Sequence, residues 1–359
     1  MVPELRFLSG HWCEPWHQHR LEHMDGWRGP CRYLIARDSA GQPVGAIPLV
    51  TQTKAGLQFL ALGGYYTPFR GFPVARDEAA TVARHFAQYL TRNVEGVGLR
   101  FGPVLDVDPT AAAFVDELSQ SGWRVVPTAR EPRFVLRLPE SIDEFWETRS
   151  ASERKNLRRY ERKMCREQQV ALSMYTTEEC SDWGPVIHDM ARVEQASWLR
   201  TDGGDLHFSD RGDQEFWNSV LSSKRLGLAA RVWILSFSSQ PVCFDFTFDS
   251  GSCRYSLFAH HAEAVSRYRA GFFLLNEEIR DAIGRGIKIT DFGGGDSGYK
   301  RRWGSAVDGH LLDYVAFPPG FRGAAFARLI DALGLARQAR SQFGRSLGRI
   351  RAWRSAKGQ

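Results

Sequence analysis

The stretch from Cys253 to Lys300 constrains the fold more than any other part of the chain. It begins with a strand-like run, CRYSLFAHH, which is followed by a basic turn that contains glycine, SRYRAG. Apolar side chains then recur at helical spacing and predict a helix with one side on a sheet: Leu274, Leu275, Ile279 and Ile283. Gly284 and Gly286 end the helix, and IKITDF forms a second strand. The order strand, turn, helix, strand predicts an α/β fold built around this unit.

The turn that precedes this helix is suited to an anion. A helix N-terminus offers unpaired N–H groups and the positive end of the helix dipole, which together favour phosphate. Arg267 and Arg269 add positive charge, and Gly271 lets a ligand approach the backbone closely. The alternative is that the two arginines lie on a solvated loop.

Four motifs occur in order along the second half of the chain: RKNLRR at 154–159, ASW at 196–198, AGFFLL at 270–275 and DFGGGDSGYK at 291–300. In this combination the sequence resembles the GNAT acyltransferase superfamily, and within it the CelD-like, cellulose-biosynthesis branch, which is related to the Fem-type double-GNAT proteins. The resemblance covers roughly residues 141–317. The turn at 267–271 departs from the usual GNAT phosphate loop, which contains more glycines.

The resemblance implies two tandem GNAT-like domains, each with a mixed central sheet flanked by helices. Residues 1–140 show a hairpin, helix, strand, helix, strand order and are expected to form a degenerate GNAT-like domain with a structural or substrate-shaping role. Residues 141–318 are expected to form the catalytic domain. Residues 319–359 are expected to form a basic amphipathic helical tail.

The implied reaction is the transfer of an acyl group, acetyl or longer, from a CoA thioester to an amine or hydroxyl of a small-molecule or saccharide acceptor, with acyl-CoA as donor and no metal. The expected cofactor clamp is formed by Arg267, Arg269, Gly271, Phe272 and Phe273. Tyr299 stands where many GNAT enzymes place a tyrosine that protonates the leaving thiolate, although packing against Trp303 is the alternative.

Two further residues are candidates for the catalytic base. Asp291 lies at the end of the second strand, where it could instead cap the following turn. His260 and His261 end the first strand, and because strand residues alternate between faces, only one can point into the site. We take His260 as the candidate.

The predicted substrate-binding residues are Arg154, Arg158, Trp198, Asp296 and Lys300. The two arginines lie one turn apart on a strongly basic helix at 151–168, so they can face one anionic group. A solvated amphipathic helix is the alternative interpretation.

Three alternative functions remain open at this stage. A Fem-type ligase would take its acyl group from an aminoacyl-tRNA, and an N-acyltransferase could use an acyl carrier protein. A catalytically inactive protein could instead serve as a binding partner in polysaccharide or lipid assembly.

The charge distribution argues against a DNA-coating protein. The 359 residues carry a net charge of +6, but the stretch from Arg322 to Gln359 holds nine basic residues and one acidic residue, so the remaining chain is slightly acidic. The absence of a signal-like N-terminus predicts a cytoplasmic protein, with a weak contact between the basic tail and an anionic membrane face as the sharper alternative.

Overall fold

The computed structural model describes residues 10–19, 27–54, 56–64, 67–75, 77–93, 95–202, 206–224, 229–296, 298–320, 324–325 and 328. Nearly all of the predicted tail lies outside these residues. Positions 203–205 also lie outside them, within the polar, glycine-containing stretch TDGGDLHFSDRGD at 201–213. Among the described residues, no helix is both long enough and apolar enough to cross a bilayer.

Helices and strands alternate along the described chain. The helices are α1 (Gly10–His19), α2 (Ala79–Arg92), α3 (Pro109–Gln120), α4 (Ile142–Glu147), α5 (Ala151–Glu167), α6 (Gly184–Gln195), α7 (Leu199–Asp202), α8 (Arg211–Ser222), α9 (Ala270–Gly284) and α10 (Tyr299–Arg302), with a 3-10 helix at Glu263–Tyr268. The strands are β1 (Trp27–Arg37), β2 (Pro43–Lys54), β3 (Leu57–Leu62), β4 (Leu99–Leu105), β5 (Arg124–Arg137), β6 (Val170–Thr176), β7 (Ala229–Phe237), β8 (Gln240–Ser250), β9 (Cys253–His261), β10 (Ile289–Gly294) and β11 (Ala306–Phe317).

The described strands form one sheet in the order β1-β2-β3-β4-β11-β5-β10-β9-β8-β7-β6. The pairs β3–β4 and β9–β10 are parallel, and the other neighbours are antiparallel. The predicted mixed α/β architecture is therefore confirmed.

The two halves of the chain exchange strands at the middle of this sheet. Strand β11, the last in the chain, pairs with β4 and β5, whereas β5 from the first half also pairs with β10 from the second. The division predicted at residue 140 therefore divides the chain without dividing the sheet, and the domain limits stay a prediction.

Helices cover the sheet at both ends. In the first half, Val82, Phe86 and Leu90 of α2 are buried with Phe114 of α3, on one side only, as their helical spacing predicts. In the second half, α9 packs on β7, β8 and β9, while α6 and α8 pack in the core that contains Phe246.

Helix α1 joins the first half to the second through aromatic packing. Trp12 is fully buried and meets Phe216, Trp217 and Phe248 edge to face at ring-centroid distances of 5.9, 5.9 and 5.6 Å. Burial of one large aromatic side chain contributes about 1.5–3 kcal/mol, and edge-to-face contacts add to it. The start of the chain is thus part of the C-terminal core.

Two carboxyl groups are buried between α9 and the sheet. Asp245 of β8 is 4% exposed and Glu278 of α9 is fully buried. In the described part of the chain, Asp245 Oδ1 and both Glu278 carboxylate oxygens have no hydrogen-bond donor. Burial raises the pKa of both groups, and the neighbouring Glu278 raises that of Asp245 further. A proton shared by the two carboxyls accounts for the arrangement.

We expect Glu278→Gln to flatten the dependence of stability on pH. A carboxyl whose pKa is raised by folding binds more protons in the native state, so the free energy of unfolding falls as pH rises above the ordinary carboxyl pKa of about 4. The neutral amide removes this loss, and the variant should gain about 1 kcal/mol or more relative to wild type at neutral pH. Denaturant unfolding between about pH 5 and pH 8 measures the effect.

Glu277→Gln is the matched control, because Glu277 lies one residue away and is partly exposed, with a long ion pair of 3.7 Å to Arg280 and a hydrogen bond from Asn276 Nδ2 at 2.9 Å. Parallel stability curves for wild type and Glu278→Gln would contradict the shared proton.

Candidate active site

Strands β9 and β10 separate after a short paired segment, and a cavity opens between them. The parallel pairing joins Cys253–Tyr255 to Ile289–Asp291. Strand β9 then continues beside β8 with Leu257 as an extra residue at a bulge. Strand β10 instead runs into the glycines at 293–295, beside β5. The cavity has a volume of about 500 Å³, which is within the range of small-molecule sites.

Both halves of the chain line this cavity. The second half supplies Ser256, Leu257, Phe258, Ala259, Phe292, Gly293, Gly294, Tyr299, Lys300 and His207, and the first half supplies Thr67, Pro68, Arg70 and Pro103. Arg70 and Lys300 are cationic, and none of these described lining residues is a carboxylate. The charged side chains of the described lining are therefore both cations, while the Glu131 carboxylate lies just beyond Gly294.

The segment Thr67–Arg70 is fixed against the second half. Phe69 is 1% exposed and packs edge to face on Tyr255 of β9, with ring centroids 5.9 Å apart. The backbone N–H of Arg70 donates to the Pro103 carbonyl at 2.6 Å, and its Nη1 donates to the Leu62 carbonyl at 3.1 Å. A first-half arginine is thereby held at a site of the second half.

Asp291 anchors the glycine turn that closes the cavity. Its carboxylate is 1% exposed and accepts from Arg133 Nε at 2.8 Å and Nη2 at 2.7 Å. It also accepts from the N–H of Gly293 at 2.8 Å. The predicted base is thus engaged by a buried ion pair and a turn cap, and it is absent from the cavity lining.

Lys300 and Tyr299 follow this turn and both line the cavity. Lys300 Nζ donates to the carbonyls of Gly294 at 2.7 Å and Gly293 at 3.4 Å, and burial lowers its pKa. Tyr299 is half-buried and meets Phe292 edge to face at 6.1 Å. Tyr299 is therefore the predicted catalytic residue that the structure places at the cavity, and its role stays a prediction.

His207 reaches the cavity from the polar loop that precedes α8. Buried Glu194 of α6 accepts from the backbone N–H groups of His207 at 2.7 Å and Phe208 at 2.9 Å. The His207 carbonyl accepts from Trp217 Nε1 at 2.9 Å, and the imidazole packs on Phe258 at 4.6 Å. A loop tied to two helices thus presents an imidazole in a fixed position.

The two histidines at the end of β9 point to different surroundings. His260 packs against Phe244 and Phe258, and burial, with His207 nearby, lowers its pKa to about 4. His261 lies toward the start of α9, where burial and Arg269 lower its pKa. His260 packs beside Phe258 and is not a lining residue of the described cavity.

Helix α9 begins at an unusual backbone conformation. Arg269 is its N-cap and has φ 54° and ψ 43°, the left-handed region that a non-glycine residue rarely adopts. The amides of Phe272 and Phe273, predicted as phosphate donors, bond the Arg269 carbonyl at 2.9 and 3.2 Å. In the first turn of α9, the backbone N–H groups of Ala270 and Gly271 have no acceptor among the described residues.

The side chains around this turn differ in accessibility. Arg267 and Arg269 are exposed, and Arg267 donates to the Tyr268 hydroxyl at 2.6 Å. Phe272 packs on Trp303 at 4.6 Å. The hydroxyl of Tyr160 on α5 has its pKa lowered by hydrogen bonds, first from Arg159 and then from Arg269. Helix α5 therefore touches the turn directly.

The remaining predicted substrate residues lie outside the main cavity. Arg154 and Arg158 line a separate surface cavity of about 320 Å³ with Ala151, Lys155 and Arg162. Trp198 is 50% exposed, and Asp296 is an exposed turn residue that accepts from Arg301 at 2.7 Å. Lys300 alone among the five lines the cavity between β9 and β10.

Sequence reasoning missed three of the groups that complete the site. Arg133 is separated from Asp291 by 158 residues, and Arg70 comes from the other half of the chain. His207 stands in a polar, glycine-containing loop, and loops of that kind often line sites; that was the one available signal.

We expect Asp291→Asn to destabilise the protein much more than Asp296→Asn. The first change leaves Arg133 buried beside a neutral group, and breaking such a pair costs about 3–5 kcal/mol. The second removes an exposed pair, worth less than about 1 kcal/mol. Thermal or denaturant unfolding measures both, and equal effects would show that the Arg133–Asp291 pair does not anchor the turn.

Residues 151–301 match the family model described as the acetyltransferase (GNAT) domain. This span begins at α5 and ends in α10, so it contains α9, the diverging strands and the glycine turn. A search of curated proteins found no match.

Solved structures share the fold at low sequence identity. FemX is 12% identical, with 86% of this chain and 91% of that chain covered and a TM-score of 0.56. The L-PGS of Bacillus licheniformis is 10% identical, with 94% and 98% covered and a TM-score of 0.51. Residues 151–301, which hold the diverging strands and the glycine turn, are thus similar to a GNAT acetyltransferase domain.

Proposed function

We propose that this protein is an acyltransferase that moves an acyl group from a CoA thioester to an amine or hydroxyl of a small-molecule or saccharide acceptor. The observation that carries the proposal is the cavity between the diverging strands β9 and β10, which β9 lines from Ser256 to Ala259. The predicted clamp residues at the α9 turn do not line this cavity, but β9 continues from it to His261 beside that turn. His261 Nδ1 lies 3.9 Å from the position that a Cβ on Gly271 would occupy, so the strand and the turn are in contact.

We place an extended CoA donor along β9, from the α9 turn to the cavity. Where β9 leaves β10, its backbone groups no longer pair with a neighbour on that side and can bond an extended amide-containing arm. The amides of Ala270 and Gly271 and the side chain of Arg269 lie at the outer end, where a phosphate would sit. The thioester then lies beside Leu257 at the bulge, whose unpaired backbone can stabilise an oxyanion.

The reaction needs a base and an acid on opposite sides of the thioester carbon. The acceptor nitrogen or oxygen bonds to the carbonyl carbon and loses its proton to the base, and the C–S bond breaks as the thiolate takes a proton from the acid. We assign the acid to Tyr299. We assign the base to His207, since it lines the cavity, whereas Asp291 is held by Arg133 and His260 does not line the cavity.

A second donor class is favoured by one observation, the cationic outer face of α5. Arg154, Lys155, Arg158 and Arg162 share this face and have no ion-pair partner among the described residues. Tyr160, on the opposite side of the helix, contacts Arg269. An acidic carrier protein or an aminoacyl-tRNA could therefore bind α5 while its acyl group enters the same cavity.

We also propose that the protein belongs to the CelD-like branch of the GNAT superfamily. This assignment rests on the motifs at 270–275 and 291–300. A role as an inactive binding partner requires that the cavity bind no thioester at all.

We expect acetyl-CoA or a longer acyl-CoA to raise the unfolding temperature of the protein. Ligand binding to the native state contributes about 2.7 kcal/mol at a hundredfold excess over the dissociation constant. Arg269→Ala should weaken CoA binding about tenfold or more, since a hydrogen bond to a charged group is worth about 1.5–3 kcal/mol. Alanine meets the same left-handed backbone strain as arginine, so folding should be unaffected.

Arg280→Ala is the control, because Arg280 is an exposed cation near the other end of α9. Equal CoA affinity in wild type and Arg269→Ala would remove the clamp. No shift with any CoA species would favour the carrier-protein or aminoacyl-tRNA donor, or the inactive role.

We expect Tyr299→Phe to lower kcat by about 10²–10⁴-fold with little change in KM. The variant keeps the ring that packs on Phe292, so it removes only the hydroxyl. Steady-state kinetics of thiol release as a function of pH measure the effect. A fully active variant would return Tyr299 to a packing role.

A further inference from the structure

The cavity has a wall that the acetyltransferase domain at 151–301 does not supply. Thr67, Pro68, Arg70 and Pro103 come from the first half of the chain and lie outside the matched family model. Phe69 fixes this wall at Tyr255, which is the last β9 residue paired with β10. The wall therefore closes the inner end of the cavity.

The two ends of the cavity differ in what they can bind. A strand rises about 3.3 Å per residue, so the six residues from Tyr255 to His261 separate the inner end from the α9 turn by about 20 Å. The donor phosphate is expected at the α9 turn. The inner end is then left for the acceptor, with the reacting carbon between them.

From this arrangement we infer that Arg70 binds an anionic group of the acceptor, so that the acceptor is an amine or hydroxyl compound carrying a carboxylate or a phosphate. This inference rests on the proposed acyl transfer for the identity of the acceptor. It assigns the first half a direct part in substrate recognition.

The charges around the cavity support an anionic ligand. Arg70 and Lys300 are the cations of the lining, and the described lining holds no carboxylate to offset them. The nearest buried carboxylate on the β10 side, Asp291, is neutralised by Arg133. Two carboxylates lie just outside the lining, Asp313 near Arg70 and Glu131 near Lys300. Within the described lining itself, no acidic side chain competes with a bound anion.

The chemistry of Arg70 suits this role. A guanidinium carries five N–H donors in a rigid fork that matches carboxylate and phosphate, so one arginine can hold its own scaffold and a ligand together. The bond to the Leu62 carbonyl and the burial of Phe69 keep the fork in one place. The competing interpretation is that Arg70 has a structural role only, in which it links the Leu62 carbonyl to Asp313 and binds no ligand.

Matched acceptors test the inference. Glucosamine, glucosamine 6-phosphate and muramic acid share one amine and differ in having no anion, a phosphate or a carboxylate. Binding of each to the full chain is measured by calorimetry with CoA present, and acylation by acetyl-CoA is measured by thiol release and product mass. We expect at least one anionic amine to bind and react about tenfold or more better than glucosamine, and the two anionic probes show which group is preferred.

Arg70→Gln should abolish the preference for the anionic amine, measured as the ratio of its kcat/KM to that of glucosamine, while CoA affinity stays that of wild type. Arg301→Gln is the control, since Arg301 is an exposed cation next to Lys300 that does not line the cavity. A loss of preference in Arg301→Gln as well would indicate a diffuse charge effect and would overturn the assignment to Arg70.

Equal binding of the three amines, or binding of none, would also overturn the inference. If Arg70→Gln lowered stability and CoA affinity together, Arg70 would be a structural connection only. Arg70-dependent binding of an anionic amine without any CoA binding would keep this subsite and disprove CoA-dependent acyl transfer, whereas CoA binding and transfer without an anionic preference would do the reverse.

Discussion

Arg133 and Asp291 form a buried ion pair across the β5–β10 pairing, where the two halves of the chain meet in one sheet. The pair stands at the point where β10 leaves β9, and the same carboxylate caps the turn at Gly293. Removing water from both charges is costly, so the geometry persists only because each charge is satisfied by the other. The positions of the glycine turn, of Lys300 and of the cavity wall depend on this buried ion pair.

The exchange of strands explains why the two halves act as one body around the site. Because β11 lies between β4 and β5, this strand of the second half pairs only with strands of the first half. The Phe69–Tyr255 contact and the packing of Trp12 on α8 add side-chain contacts to this backbone coupling. A cavity between the halves is therefore held as rigidly as the sheet itself.

The sequence predicted the helices and strands well, but it did not predict which charged side chains pair with one another. The helix at 270–284 was predicted from Leu274, Leu275 and Ile279, which are all buried. The basic helix begins at its predicted residue, Ala151, and ends at Glu167, one residue before its predicted end. Its capping box is formed by Ser150 and Glu153. Local periodicity and capping act over one or two turns, so a single sequence contains them fully.

The motif DFGGGDSGYK by itself identified a glycine turn with charged residues beside it, whereas tertiary structure decided what each charge does. Asp291 is buried against Arg133, Asp296 is exposed against Arg301, and Lys300 enters the cavity. Similarly, the sequence indicated that one of two adjacent histidines faces inward, but His207 from a distant loop lines the cavity instead. Chain composition and local spacing fix the elements, while burial and pairing depend on residues brought together from both halves, whose separation along the chain carries no local signal.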